Sequence, residues 1–289
     1  MKNNSPIRPI LLLNLAMLCI STSGMLGRYV SMPPPLTIWW RAFFAIFCLG
    51  IFCLWKNYTF RFDRKKYGKI FFISGALMAI HWVTYFYALH LSNVAIGMLS
   101  LFTYPVMTAL LEPVMLKTKF EKHHLLSSLL VLVGIYFLAP ELNFSNAMTQ
   151  GLLMGLISAL CYSVRNILLK TQVTTFNGSV LMFYQMVITT VLVFPVLFFY
   201  DQILDYSQVP YILFLSLITT AVGHTLFLNS FKFFSVSTAS ILSGLQPIYG
   251  IVLAIFFLGE IPNWSSWIGG SLILLTVVLE SRLNLRAKK

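Results

Sequence analysis

Three ionisable side chains interrupt stretches that are otherwise apolar: Arg41, Glu112 and Arg165. An ionised group near the centre of a bilayer costs at least about 2.5–3.5 kcal/mol, so each should face a polar cavity or an opposite charge rather than hydrocarbon. Arg41 carries the planar fork that grips a carboxylate through two parallel hydrogen bonds. Its position after Trp39 and Trp40 also fits an anchor at the membrane interface. Glu112 and Arg165 lie late in segments that run toward the same side, which predicts an ion pair closing that end, with snorkelling of Arg165 as the alternative. Gln185 occupies the place in the second half comparable to Arg41, where an uncharged hydrogen-bonding group makes the site chemically asymmetric.

His81 and His224 stand 24 and 23 residues before Pro105 and Pro247. Histidine titrates near neutrality and can carry a coupling proton, although a single intramembrane histidine serves equally as a hydrogen bond between helices. Their spacing predicts no metal site. Each proline removes a backbone donor and clashes one turn back, so both helices should kink and free carbonyls upstream. Such a break can hinge a gate or offer backbone groups to a solute, and it can also merely bend a helix to fit its bundle. The neighbouring Tyr104 and Gln246 are the contact candidates. Aromatic residues make up 15% of the chain, and Trp40, Tyr85, Tyr104 and Tyr162, with Trp39, Trp82, Tyr87 and Tyr184, are those best placed to wall a mainly apolar cavity. Such a cavity suits an amphiphilic solute such as an aromatic or branched amino acid, or, through cation–π attraction, a quaternary ammonium.

These side chains need helices that cross a bilayer. The 289 residues are 58% hydrophobic and 10% charged, with a mean hydropathy of +0.83, more apolar surface than a soluble fold can bury. About 20 apolar residues span the hydrocarbon layer. The spans read as Pro9 to Val30, Leu36 to Leu54, Ile70 to Leu91, Val94 to Leu116, Leu125 to Ala139, Gly151 to Leu169, Ser179 to Phe199, Tyr211 to Phe231, Val236 to Leu258 and Trp264 to Leu279. Pro9 to Val30 is too long for a secretory signal and is read as a retained helix. The four cysteines all fall within spans and read as small packing residues.

An offset of 142 residues lays Ala88 to Val106 on Ser230 to Ile248, with Val94 over Val236 and Pro105 over Pro247. It also sets Cys19 on Cys161, Ser21 on Ser163 and Arg28 on Lys170. The chain is therefore expected to be an all-α integral membrane protein of ten transmembrane helices in two inverted five-helix repeats, residues 1–145 and 146–289. An odd number of crossings per copy turns the second copy upside down, the symmetry on which alternating access rests. Ten crossings place seventeen of the twenty Lys and Arg residues on the side of the termini, against Glu141, Asp201, Asp205 and Glu260 opposite. By the positive-inside rule both termini are cytoplasmic and the linker, about Pro140 to Gln150, is external. The net charge of +12 thus follows topology and does not point to nucleic acid.

The stretch LQPIYGIVLAIFFLGE, Leu245 to Glu260, with SVSTASIL before it, resembles the ninth-helix signature of the EamA family in the drug/metabolite transporter superfamily. A polar start to each half and Arg41 in TIWWRAFFA add to the likeness. The resemblance spans essentially the whole chain as two tandem five-helix repeats. It implies a carrier of small metabolites whose cavity is formed mainly by helices 1–4 and 6–9, with helices 5 and 10 at the periphery, where they can support a homodimer. Two departures stand out. Thr118 occupies the place that Glu260 takes after the second proline, and Ser23-Gly24 replaces a Trp-Gly pair common in the family.

Together these features predict a multi-pass protein of the inner, cytoplasmic membrane. It would move a small-molecule solute by alternating access, with a proton or another ion as a candidate for coupling and no cofactor. Export of amino acids or related amphiphilic metabolites is the first expectation, and import of a cationic solute such as choline the alternative. The binding residues would be Trp40, Arg41, His81, Tyr85, Tyr104, Tyr162, Gln185, His224 and Gln246; Glu112, Arg165, Pro105 and Pro247 would gate or couple. An intramembrane enzyme is disfavoured, because no H-E-x-x-H, G-x-S-x-G, Gly-rich phosphate loop or intramembrane aspartate pair occurs.

Overall fold

Polar side chains set where the helices begin. The carboxylate of Asp63 accepts from the backbone N–H groups of Lys65 and Lys66, Asn93 from Ile96, Asn146 from Met148, Asn177 from Ser179 and Ser235 from Thr238. Each satisfies an orphan donor of a first helical turn. In the computed structural model, residues 7–118, 120, 123–138, 143–201 and 203–286 are described. They form ten helices: α1 (Ile7–Tyr29), α2 (Pro34–Trp55), α3 (Arg64–Leu91), α4 (Val94–Leu116), α5 (His123–Leu138), α6 (Ala147–Lys170), α7 (Gly178–Val193), α8 (Tyr206–Ser230), α9 (Val236–Leu258) and α10 (Trp264–Arg286). Eight of the ten, all except α5 and α10, are long and apolar enough over their described residues to cross a membrane.

The Asp63 cap starts α3 at Arg64, earlier than the hydropathy pattern suggests, so a basic first turn precedes the apolar span. Ala139 and Pro140, the expected end of α5, lie outside the described residues, as do Glu141, Lys2, Lys119, Lys122, Lys288 and Lys289 of the charge argument.

Both repeat prolines sit just after a break. α4 consists of Val94–Leu101 and Tyr104–Leu116, and α9 of Val236–Leu242 and Leu245–Leu258. The two helices also end alike, on left-handed residues 142 positions apart, Lys117 at φ 55° and Gly259 at φ 66°. Only glycine adopts that conformation without steric cost. α8 differs from its counterpart α3 in that Leu215–His224 winds as a wide π-helix. There Thr219 Oγ1 meets Thr22 of α1 at 2.8 Å, while Thr220 Oγ1 reaches α2.

The halves interleave, α3 packing along α6, α1 against α8 and α9, and α2 against α7. Met98 of α4 lies between two glycines, Gly24 of α1 and Gly250 of α9, where a Cβ on either would collide with its sulfur. α5 and α10 pack on each other at the edge, a Cβ on Gly134 falling 2.9 Å from the Gly269 carbonyl oxygen. The small residues let the two backbones approach without an intervening side chain.

Candidate functional site

Between the halves lies a closed chamber lined by residues of seven helices: Ile20 and Ser23 of α1, Arg41 of α2, His81, Trp82 and Tyr85 of α3, Leu101 of α4, Tyr162 of α6, His224 of α8 and Gln246 of α9. Among the described residues, α5 and α10 contribute nothing. The volume open to the centre of a water molecule is about 10 Å³, room for about one water. The chamber is therefore collapsed around its own side chains, and a metabolite can enter only if the helices move apart.

Arg41 dominates it. The side chain is fully buried, which rules out the interfacial-anchor reading in this conformation. Its Nε donates to Thr220 Oγ1 at 2.8 Å, and its Cζ lies 3.7 Å above the Trp82 ring centroid. The widened turns of α8 place Thr220 there, and Ser216 Oγ, one turn earlier, donates to the Arg41 carbonyl at 3.0 Å. π-helical turns recur at functional sites for this reason: the extra residue re-aims side chains. Both Nη1 and Nη2 of Arg41 are buried without a hydrogen-bond acceptor among the described residues. A guanidinium held on one edge by a hydroxyl and on one face by an indole keeps its two-pronged end free for a planar anion.

The two histidines differ. His81 Nδ1 lies 2.7 Å from Ser158 Oγ, which itself donates to the His81 carbonyl at 2.8 Å, and the ring stacks on Tyr162 at 4.4 Å. This closed circuit fits the helix-to-helix hydrogen bond. His224 touches Trp82 and Tyr162 with ring centroids 5.5 and 6.2 Å away, and its Nδ1 has no hydrogen-bond partner among the described residues.

Six of the nine residues expected to bind thus meet in the chamber: Arg41, His81, Tyr85, Tyr162, His224 and Gln246. Tyr104 lies one layer behind, its ring 5.0 Å from that of Tyr162. Its hydroxyl bonds Ser243 Oγ, so the breaks of α4 and α9 touch each other directly. Gln185 is also one layer back, its Oε1 accepting from Arg165 Nε at 2.7 Å. Trp40 is a correction. Its indole N–H donates to the Ile203 carbonyl at 2.7 Å and its ring stacks on Phe44. Trp82, on the inward face of α3, lines the chamber instead. The one-residue step from Trp40 to Arg41 turns the helix by about 100°, so the two cannot share a face. Thr220 and Ser23 were missed as contacts. The polar run Ser21-Thr22-Ser23 in an apolar helix was the available signal for the latter.

The expected Glu112–Arg165 ion pair is a second correction. Arg165 is fully buried and bonded to neutral groups, with Nη1 to Asn166 Oδ1 at 2.8 Å and Nη2 to Met182 Sδ at 3.1 Å. Glu112 turns away to the start of α9, where it accepts from the N–H groups of Val236 at 3.3 Å and Ser237 at 3.0 Å and from the Ser237 hydroxyl. A carboxylate at a helix N-terminus meets orphan donors and the positive end of the helix dipole, which here outcompete a distant guanidinium.

Glu260 does the same at the other end of the bundle. It accepts from the Val94 N–H at the start of α4, at 2.9 Å, and pairs with Arg28 Nε at 3.0 Å. Each broken helix therefore starts against a glutamate from the other, Glu112 within α4 and Glu260 two residues past the end of α9. The basic residues 142 positions apart follow suit. Arg28 Nη1 donates to the Leu89 and His90 carbonyls ending α3, and Lys170 Nζ to the Phe231 and Phe234 carbonyls after α8.

The comparisons with known proteins agree with this architecture. An uncharacterized transporter of Bacillus subtilis (strain 168), YwfM, is 25% identical over 217 residues, 73% of this chain and 72% of its own. An uncharacterized transporter of Archaeoglobus fulgidus is 26% identical over 246 residues, 84% of each chain. A solved crystal structure superposes with a TM-score of 0.74 at 17% identity, covering 99% of this chain and all of the other, a likeness of fold. The EamA-like transporter family matches twice, over residues 7–139 and 149–282. Two matched copies, ten interleaved helices and a chamber on the seam lead to one conclusion: the chain belongs to the EamA-like transporter family and is a membrane transporter.

Proposed function

We propose that this transporter moves an amphiphilic metabolite bearing a carboxylate, an amino acid or a related acid, and that Arg41 holds the carboxylate. The observation that carries the reading is the free pronged end of a fully buried guanidinium inside the chamber. An ionised group so placed is costly without a counter-charge, and a bound carboxylate supplies one. Trp82, Tyr85 and Tyr162 then face the apolar body of the solute. A cationic solute such as choline finds the opposite: the aromatic face best suited to it, Trp82, already carries Arg41.

Movement follows alternating access. The breaks of α4 and α9, joined through Tyr104 and Ser243, are the hinge, and the glutamate contacts at each end alternate between closed and open. The chain sits in the cytoplasmic membrane with both termini inside, as its basic residues direct, and works as an exporter. Gln246 completes the solute site, while His224, with its free Nδ1, is the candidate for a coupling proton. The family halves, 1–145 and 146–289, rock against each other, and α5 with α10 offers the face for a homodimer.

The test is counterflow in liposomes of purified protein loaded with labelled phenylalanine or leucine. Arg41→Ala is expected to lower flux by at least about tenfold, since removing a charged hydrogen-bond partner costs about 1.5–3 kcal/mol, with Arg41→Lys between the two. Wild-type flux in Arg41→Ala, or stronger competition by choline than by any carboxylate, overturns the reading.

A further inference from the structure

We infer that the chamber selects a net organic anion over the zwitterion of the same shape, so that the preferred solute is an aromatic or branched carboxylic acid without a free ammonium group. The inference rests on the proposed role of Arg41 and goes on to ask what the rest of the chamber offers the far side of the solute.

The charge inventory carries it. Two arginines lie fully buried at the centre of the protein, Arg41 in the chamber wall and Arg165 directly behind Tyr162, its Cζ 5.8 Å from that ring. Among the described residues, no Asp or Glu lines the chamber. Arg165 bonds to the amide oxygens of Gln185 and Asn166 and the sulfur of Met182, none of which neutralises it. The chain has eight carboxylates, and Glu112, the one placed well inside a span and described as buried, is engaged by the start of α9. Among those elsewhere, Asp63 caps α3, Asp205 caps the turn before α8 and Glu260 pairs with Arg28.

An amino acid would bring a carboxylate that Arg41 can hold and an ammonium that has no counter-charge. That ammonium would lie among two like charges in a medium where charges are poorly screened. The surfaces able to receive it by cation–π attraction are partly used, Trp82 by Arg41 and Tyr162 by the His81 stacked on it. A carboxylic acid with the same side chain keeps the favourable contact and omits the unfavourable one. Blocking the ammonium as an amide has the same effect on charge.

The experiment uses the full-length protein in liposomes and four probes sharing one aromatic body: 3-phenylpropanoate, N-acetyl-L-phenylalanine, L-phenylalanine and phenethylamine. Half-saturating concentrations for 3-phenylpropanoate and N-acetyl-L-phenylalanine at least tenfold below that for phenylalanine are expected, with phenethylamine inert. Arg165→Gln should narrow the gap between 3-phenylpropanoate and phenylalanine by several-fold while both remain transported. A merely structural role for Arg165 would change both solutes alike and would count against the inference. Phenylalanine moving as well as 3-phenylpropanoate, with both lost in Arg41→Ala, overturns the charge preference and leaves the carboxylate reading standing. Phenethylamine moving in preference to the acids, or no probe moving in protein that melts cooperatively, overturns both.

Discussion

The two broken helices start against the same device built to different strengths. At the end holding the chain termini, Glu112 is 8% exposed and accepts from two backbone N–H groups and a hydroxyl of α9. At the other end Glu260 accepts from one N–H of α4 and shares an ion pair with Arg28, whose side chains are 24% and 36% exposed. A buried carboxylate with several donors makes strong charge-assisted bonds, and leaving those donors empty is costly. An exposed pair gains little, because water and salt screen it. The comparison teaches that matched copies need not be equally held: the contact at the end of the termini is the firmer, and under the proposed alternating access the opposite end is expected to open first.

Substitutions at the two ends can break or sharpen this contrast. Glu112→Ala should have the largest effect, about 2–3 kcal/mol from orphaned donors at the start of α9, read as a fall in melting temperature together with faster labelling of a cysteine placed at Ser240. Equal labelling in wild type and variant would remove Glu112 from the gate. Ser237→Ala deletes one partner and leaves the backbone contacts, for an expected loss of about 0.5–1.5 kcal/mol. At the weaker end, an Arg28→Ala and Glu260→Gln double-mutant cycle should return a coupling of about 0.2–1 kcal/mol that shrinks on raising salt from 0.05 to about 0.5 M. A coupling above that of the Glu112–Ser237 pair would reverse the ranking. The smallest contrast lies in the shared left-handed caps: Lys117→Gly should be neutral or gain less than about 1 kcal/mol, and Gly259→Lys should lose about as much.

Much of the architecture was legible in the residue order. The 142-residue repeat, the twin prolines and the apolar segments predicted ten helices in two halves, because each signal is local: a span needs only continuous apolar length, and a break needs only a missing N–H. Six of the nine residues expected to bind line the chamber, since a polar or ionisable group inside a span has nowhere else to go than the interior. Failures arose where a partner had to be chosen. Glu112 was matched to Arg165 by depth along parallel segments, yet depth does not determine direction, and the helix start beside it offered nearer donors. Thr118 stands at the position equivalent to Glu260, whereas Glu112, six residues earlier, performs the equivalent contact from within its helix.

What the sequence determined by itself was therefore the number of helices, their duplication and the charges that must be hidden, all of which depend on residue type and spacing along one chain. Only the tertiary structure decided that Trp82 rather than Trp40 lies under Arg41, that α8 widens to present Thr220, and that each glutamate faces the opposite broken helix. These are pairings between helices, set by rotation about each helix axis and by which of several donors lies within about 3 Å of an acceptor. Such geometry belongs to the packed bundle and is written in no single segment.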